Sequence, residues 1–221
     1  MTDTPFERLQ EATRDVWADP VASAHRTAEA ILELLDGDCN DAGVDAISDL
    51  RRRRADSPFI LAITEAALAT DAETRRRVLL QIMERLDDRT WADDIGLQIA
   101  HHETVGVVSL GETTLAVLEA ACGLGGTSAA LFTDRRAIAR GLAYLGLMIE
   151  VAPPDEAAAV LIPAAAITAS RMWTTVRAAD VALRATLHHA EVVVVAHPLA
   201  ELSTSNRANF RPASPLIDVK I

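Results

Sequence analysis

Between Thr133 and Ile167 the chain reads TDRRAIARGLAYLGLMIEVAPPDEAAAVLIPAAAI, and within it the spacing of apolar residues changes. Ile138, Leu142 and Leu145 recur at helical spacing with small residues between them, whereas Leu147–Ile149 and Val160–Ile162 are continuous apolar runs. Such runs suit parallel strands covered on both faces. The stretch therefore predicts a turn, an amphipathic helix, a buried strand, a short helix and a second buried strand. Crossovers of this kind place a helix N-terminus beside the carboxyl end of a strand, in the crevice where open α/β sheets bind ligands.

The surrounding residues extend the pattern. Val105–Val108, Ala129–Phe132 and Val192–Ala196 read as strands and Leu216–Val219 as a last one, with helices over Glu112–Cys122 and Arg171–His189. Alternation at that spacing implies an α/β fold, a parallel sheet with helices on both faces. The first hundred residues carry helix signals alone. Thr4-Pro5-Phe6-Glu7 combines an N-cap, a proline at the first helical position and an acidic third residue. A second helix follows Pro20, a short third covers Val44–Arg51, Ser57-Pro58 opens a fourth, and Ala72–Leu86 carries the clearest apolar stripe. We expect a helical domain over residues 1–100 and a Rossmann-like α/β domain over residues 101–221.

At 221 residues, 50% apolar and 24% charged, the chain can bury a full core. A net charge of −11 argues against nucleic acid as a direct partner, because phosphate binding needs a basic face. No apolar run reaches the length of a membrane span, and the charged N-terminus has no signal-peptide core, so a cytoplasmic protein is expected. Cys39 and Cys122 lack metal-ligand spacing.

Few residues stand where chemistry is done. Gly123–Gly126 follows a helix and precedes a strand, the reverse of a phosphate cradle, so it reads as a helix stop and no cofactor is expected. In His101-His102 and His188-His189 the neighbouring side chains should point apart, and no acidic or thiol spacing completes a set, so no metal site is expected. The basic runs Arg51–Arg54 and Arg75–Arg77 fit solvated, internally paired helix faces, with a docking patch for an acidic partner left open. Thr113-Thr114 and Arg135-Arg136 each fall just past a strand, at the start of the next helix. Hydroxyls, helix N–H groups and guanidinium groups there can hold a phosphate, although capping and surface ion pairs also account for each residue taken alone.

Three motifs run in succession through this half. They are Asp134-Arg135-Arg136-Ala137 with Gly141, Ile149-Glu150-Val151 leading to Asp155 and Ala157, and Leu161-Ile162-Pro163-Ala164-Ala165. In order and spacing they resemble the translation initiation factor 2B alpha/beta/delta subunit superfamily, which includes methylthioribose-1-phosphate and ribose-1,5-bisphosphate isomerases. The resemblance covers roughly residues 104–200, and the helical first half fits the same architecture. It implies a phosphorylated ligand held by Thr113, Thr114, Arg135, Arg136 and Asp155, and a homodimer formed through the α/β domain, with the Ala-rich helix 171–189 as a contact surface. It also implies two catalytic groups, a cysteine after the first strand and the aspartate of Gly-Ala-Asp. Here those positions hold Leu110 and Ala165, which can neither attack nor move a proton. The expected function is therefore non-catalytic: an initiation factor 2B-like binding or regulatory protein that senses a sugar phosphate or nucleotide, or docks on a protein partner. The alternative is a sugar-phosphate isomerase-type enzyme with rearranged residues, among them Asp134, Asp155 and His197.

Overall fold

The computed structural model describes residues 5–14, 20–36, 41–68, 71–132, 145–213 and 216–220. By contacts the chain divides into two compact units, residues 1–88 with 199–213 and residues 89–198 with 214–221. The texture change at residue 100 and this division differ in two places. Helix α6 (Thr90–Ile99) packs with the second unit, and the segment 199–213 packs with the first.

The regular elements described in the first unit are helical: α1 (Pro5–Ala12), α2 (Pro20–Asp36), α3 (Asp41–Arg53), α4 (Pro58–Ala67), α5 (Ala72–Asp87) and, in the returning segment, α9 (Thr204–Asn209), preceded by a 3-10 turn at Pro198–Ala200. Helix α4 is its most deeply buried, with Phe59, Ile60, Leu61 and Ile63 all inside. Its start was legible: the Ser57 hydroxyl accepts from the N–H of Ile60 and Pro58 occupies the first turn. Helix α2 buries Ala24, Ala28 and Ile31 together with two polar residues, Ser23 and Thr27. The Thr27 hydroxyl donates to the carbonyl of Ser23 at 2.7 Å, so it carries no unmet polar group inside.

The second unit is built on a five-stranded, all-parallel sheet. Its strands are β1 (Thr104–Val107), β2 (Ala129–Phe132), β3 (Met148–Val151), β4 (Ala159–Pro163) and β7 (Glu191–Val195), in the order β3-β2-β1-β4-β7. Strand β4 shows why a continuous apolar run is needed. Ala159 and Leu161 pack towards α6 and α7 (Glu112–Gly123), whereas Val160 and Ile162 pack towards α8 (Val176–Leu187) on the other face. A small antiparallel sheet, β5 (Ala166–Thr168), β6 (Arg171–Thr175) and β8 (Leu216–Lys220), joins the α8 face in the order β5-β6-β8. Residue 216 onward thus forms a strand as expected, but in this second sheet.

Three expectations are corrected. Strand β3 is not buried on both faces: it is the sheet's edge strand, and Met148 and Val151 are exposed. Apolar continuity reports strand character but not strand order. The short helix before β4 is a single 3-10 turn, Pro154–Glu156. Going from β3 to β4 means crossing three strand spacings of about 4.8 Å while returning along the strand, a span that the seven linking residues cover with one 3-10 turn but not with an α-helix at about 1.5 Å per residue. Residues 171–175 are strand and not helix. Trp173 pairs with Ala166 on one side and Asp218 on the other, and Thr175 caps α8 by accepting from the N–H of Ala178. The amphipathic helix read through Ile138 and Leu142 lies outside the described residues.

Candidate functional site

Strand order reverses between β1 and β4, so the chain leaves their carboxyl ends in opposite directions and opens a crevice. From β1 it turns through Val108–Gly111 into α7. Gly111 is the N-cap, and no side chain caps the helix. Among the described residues a Cβ on Gly111 would meet nothing within 4 Å, and Gly111 and Glu112 are both exposed at the start of α7. Uncapped N–H groups at a helix start favour an anion.

Thr113 is half-buried in that turn and Thr114 wholly buried beneath it. Helical side chains lean back towards the N-terminus, which sets the Thr114 hydroxyl under the open turn. That hydroxyl has no hydrogen-bond partner among the described residues. An unmet buried hydroxyl costs about 1–3 kcal/mol.

Leu110, in the position that the resemblance gives to a thiol, packs its side chain against the α6–α7 core. Ala165, in the position of the carboxylate, follows β4 and gives its N–H to the carbonyl of Trp173 at 2.8 Å. Neither offers an acid, a base or a nucleophile.

Asp155 sits elsewhere. Its 3-10 turn crosses the α8 face of the sheet over β1, so closely that a Cβ on Gly106 would lie 2.0 Å from the carbonyl oxygen of Pro154. There the buried Asp155 carboxylate faces the Arg184 guanidinium of α8 at 3.4 Å. Helix α7, with Thr113 and Thr114, packs on the opposite face. His197, two residues past β7, is buried with its ring edge-on to Trp91 at 5.4 Å. Arg135, Arg136 and Asp134 lie outside the described residues.

The basic run of α3 is largely engaged. Arg52 and Arg53 pair with Asp49, Arg54 donates to the carbonyl of Thr13, and Arg51 donates to Asn206 at 3.2 Å. Arg51, Arg52 and Arg211 line a small cavity of about 240 Å³ with Ala55 and Asn209. A larger one of about 420 Å³, lined by Leu9, Gln10, Thr13 and Arg54 among others, mixes charges and apolar groups.

The histidine pair after α6 corrects the adjacency argument. Residues 101–103 belong to no helix or strand, so the rings of His101 and His102 do not point apart; their centroids are 3.8 Å apart. Both turn to Glu191 at the start of β7, which Gln98 also contacts. No sequence spacing announces this group, because Glu191 stands 89 residues from His102. The Glu191 carboxyl is held below its usual range by hydrogen bonds from His102 and then Gln98.

No protein-family model matches the sequence, and no curated protein does either. Solved structures do match. The initiation factor eIF-2B of Pyrococcus horikoshii superposes with a TM-score of 0.69 at 19% identity, over 88% of this chain and 78% of that one. The eIF2B delta subunit of Chaetomium thermophilum gives 0.64 at 17%, over 91% and 92%. A chain of the tetrameric eIF2B-beta2-delta2 complex from C. thermophilum gives 0.62 at 17%, over 96% and 85%. This chain has the eIF2B-subunit fold. Identities this low speak for fold alone. Among the described residues no helix is long and apolar enough to cross a membrane.

Proposed function

We propose that the chain is a divergent, non-catalytic eIF2B-like binding protein that holds a phosphorylated small molecule at the first turn of α7 and works through protein association in the cytoplasm. One observation carries the reading. The uncapped turn at the strand reversal, with the unmet hydroxyl of Thr114 beneath it, has Leu110 and Ala165 where the resemblance puts a thiol and a carboxylate; the acid of the turn itself, Glu112, points to a ligand that brings a cation with it or is held mainly by Arg135 and Arg136. Such a turn is suited to bind an anion and not to transform it. Thr113 and the main-chain N–H groups would take the phosphate oxygens, with Arg135 and Arg136 supplying the charge. Asp155 already has Arg184 as a partner, and we give it a packing role.

Association is the second half of the reading. One of the structural relatives is part of a tetrameric complex, and we propose a homodimer through the α/β unit, from which a further protein partner would be engaged.

A thermal-shift titration with pentose phosphates, pentose bisphosphates and nucleoside monophosphates tests the ligand. At a hundred times its dissociation constant a ligand stabilises the folded state by about 2.7 kcal/mol, or very roughly 5–10 °C for a chain of this size. The shift should vanish in Thr113→Ala and Arg136→Ala, and product analysis should find no isomerised sugar. Turnover of the stabilising compound would favour the enzyme reading, and no shift with any compound would sink the ligand.

A further inference from the structure

We propose that His101, His102 and Glu191 form a binding site for a divalent transition ion of the zinc type, at the end of the sheet opposite the α7 crevice. The three ligand atoms lie within 4.8 Å of one another. His102 Nε2 is 2.9 Å and His101 Nε2 3.7 Å from the same carboxylate oxygen, Oε2 of Glu191. These separations bracket the edge of about 3.4 Å that a tetrahedral ion with bonds of about 2.0–2.1 Å requires. On these two edges, closing onto an ion needs shifts of about half an ångström or less, and the third, between the two imidazole nitrogens, lies within 4.8 Å.

The surroundings hold the three ligands in place. Gln98 gives its side-chain N–H to Oε1 of Glu191 at 2.8 Å, which leaves Oε2 to the histidines. An outer partner of this kind fixes a ligand's orientation. The histidine turn is tied on both sides: the N–H of His102 donates to the carbonyl of Ile99 at 2.9 Å, and the Thr127 hydroxyl donates to the carbonyl of His102 at 3.0 Å. Glu103 next to it accepts from the N–H groups of both Ser128 and Ala129. Gly126 lets the chain approach so closely that a Cβ there would lie 1.6 Å from the carbonyl oxygen of Ala100.

The donor set selects the ion. Two imidazoles and one carboxylate suit zinc and its late first-row neighbours, whereas magnesium and calcium take oxygen ligands. Three protein ligands leave a fourth position for water, and His101 on the outer side is exposed. The histidines lie one residue before β1 and Glu191 opens β7, two parallel strands separated by β4. A bound ion would clasp these strand starts together, away from the α7 turn.

An ion pair between Glu191 and a protonated His102 would show the same geometry, so the test must read the metal. Untagged, chelator-stripped protein is titrated with zinc by calorimetry and with cobalt by visible absorption. One equivalent should bind, with the intense d–d bands of a tetrahedral cobalt site, and zinc should raise the melting temperature. His101→Ala and Glu191→Gln alter one exposed ring and one isosteric group, so both should fold, and each should weaken zinc by about tenfold or more. Gln98→Ala should weaken it by a smaller factor. Absence of binding at concentrations that fill ordinary protein zinc sites would overturn the proposal. So would binding that these variants leave unchanged.

Discussion

A methyl group added to Gly106 would be driven into the carbonyl of Pro154, a main-chain atom fixed between β1 and the face of α8. Overpacking of this sort costs about 1–3 kcal/mol, or more where backbone cannot yield. Gly106→Ala should therefore lower the melting temperature by several degrees, whereas Gly111→Ala, with open space around it, should change it little. Equal shifts in the two variants would refute the close crossing. His189 offers the opposite change. It takes φ +62° at the end of α8, where its N–H reaches the carbonyl of Thr186 and that of Ala190 reaches Ala185, the paired bonds of a Schellman motif. A residue with a Cβ is strained there, so His189→Gly should stabilise the unit by about 0.5–1 kcal/mol in chemical denaturation. A loss of stability would show that the imidazole has a partner worth more than the strain. At this scale the sequence was a partial guide. Thr113 and Thr114 could be placed at a helix start from their spacing after a strand, but the unmet hydroxyl of Thr114 depends on everything packed around it. The convergence of His101 and His102 depends on a backbone that leaves regular structure for four residues, Ala100 to Glu103, which no residue pattern reports.

Elements were legible where their neighbours are local or their pattern is single-valued. Ala129–Phe132 matches β2 to the residue, and Glu112–Cys122 matches α7 within one position. Strand β6 reads as helix in the sequence because Met172–Thr175 runs without a break into Val176-Arg177-Ala178-Ala179, and the partners that make it a strand are remote in sequence. Trp173 is the residue that separates the two readings. In the strand it is buried between β5 and β8, so Trp173→Ala should cost about 3–5 kcal/mol. Thr175→Ala should cost about 1 kcal/mol through loss of the α8 cap, while Thr175→Ser should restore most of it. Were 171–175 the first turns of a helix, Thr175→Ala would be neutral or mildly stabilising, since alanine is the better helix former. Urea denaturation of the three variants decides between them.

For the molecule as a whole, the outer face of α8 is the feature least suited to a lone chain. Ala178, Val181, Ala182 and Ala185 bury its inner face against the sheet, yet Val176, Leu183 and Leu187 recur at seven and four residues on the outer side. Leu183 is 61% and Leu187 69% exposed. A helix needs one apolar stripe to pack in a monomer, and a second stripe points to a second surface. The stripe is flanked by Asp180 and Arg184, which pair with each other at 3.4 Å and so give the patch a polar rim. With a net charge of −11, copies of this chain repel at long range, so association through the stripe has to overcome that repulsion and should strengthen as salt screens it. Sedimentation of the purified protein should show a dimer that persists or tightens between low and high salt. Leu183→Asp combined with Leu187→Lys should yield monomer. Because both side chains lie in solvent in the single chain, the monomer should keep its melting cooperativity and its far-ultraviolet spectrum, which separates a lost interface from a lost fold. A dimer indifferent to both substitutions would move the interface off α8, and a monomer at every salt concentration would remove self-association from the proposed function while leaving the α7 turn untouched.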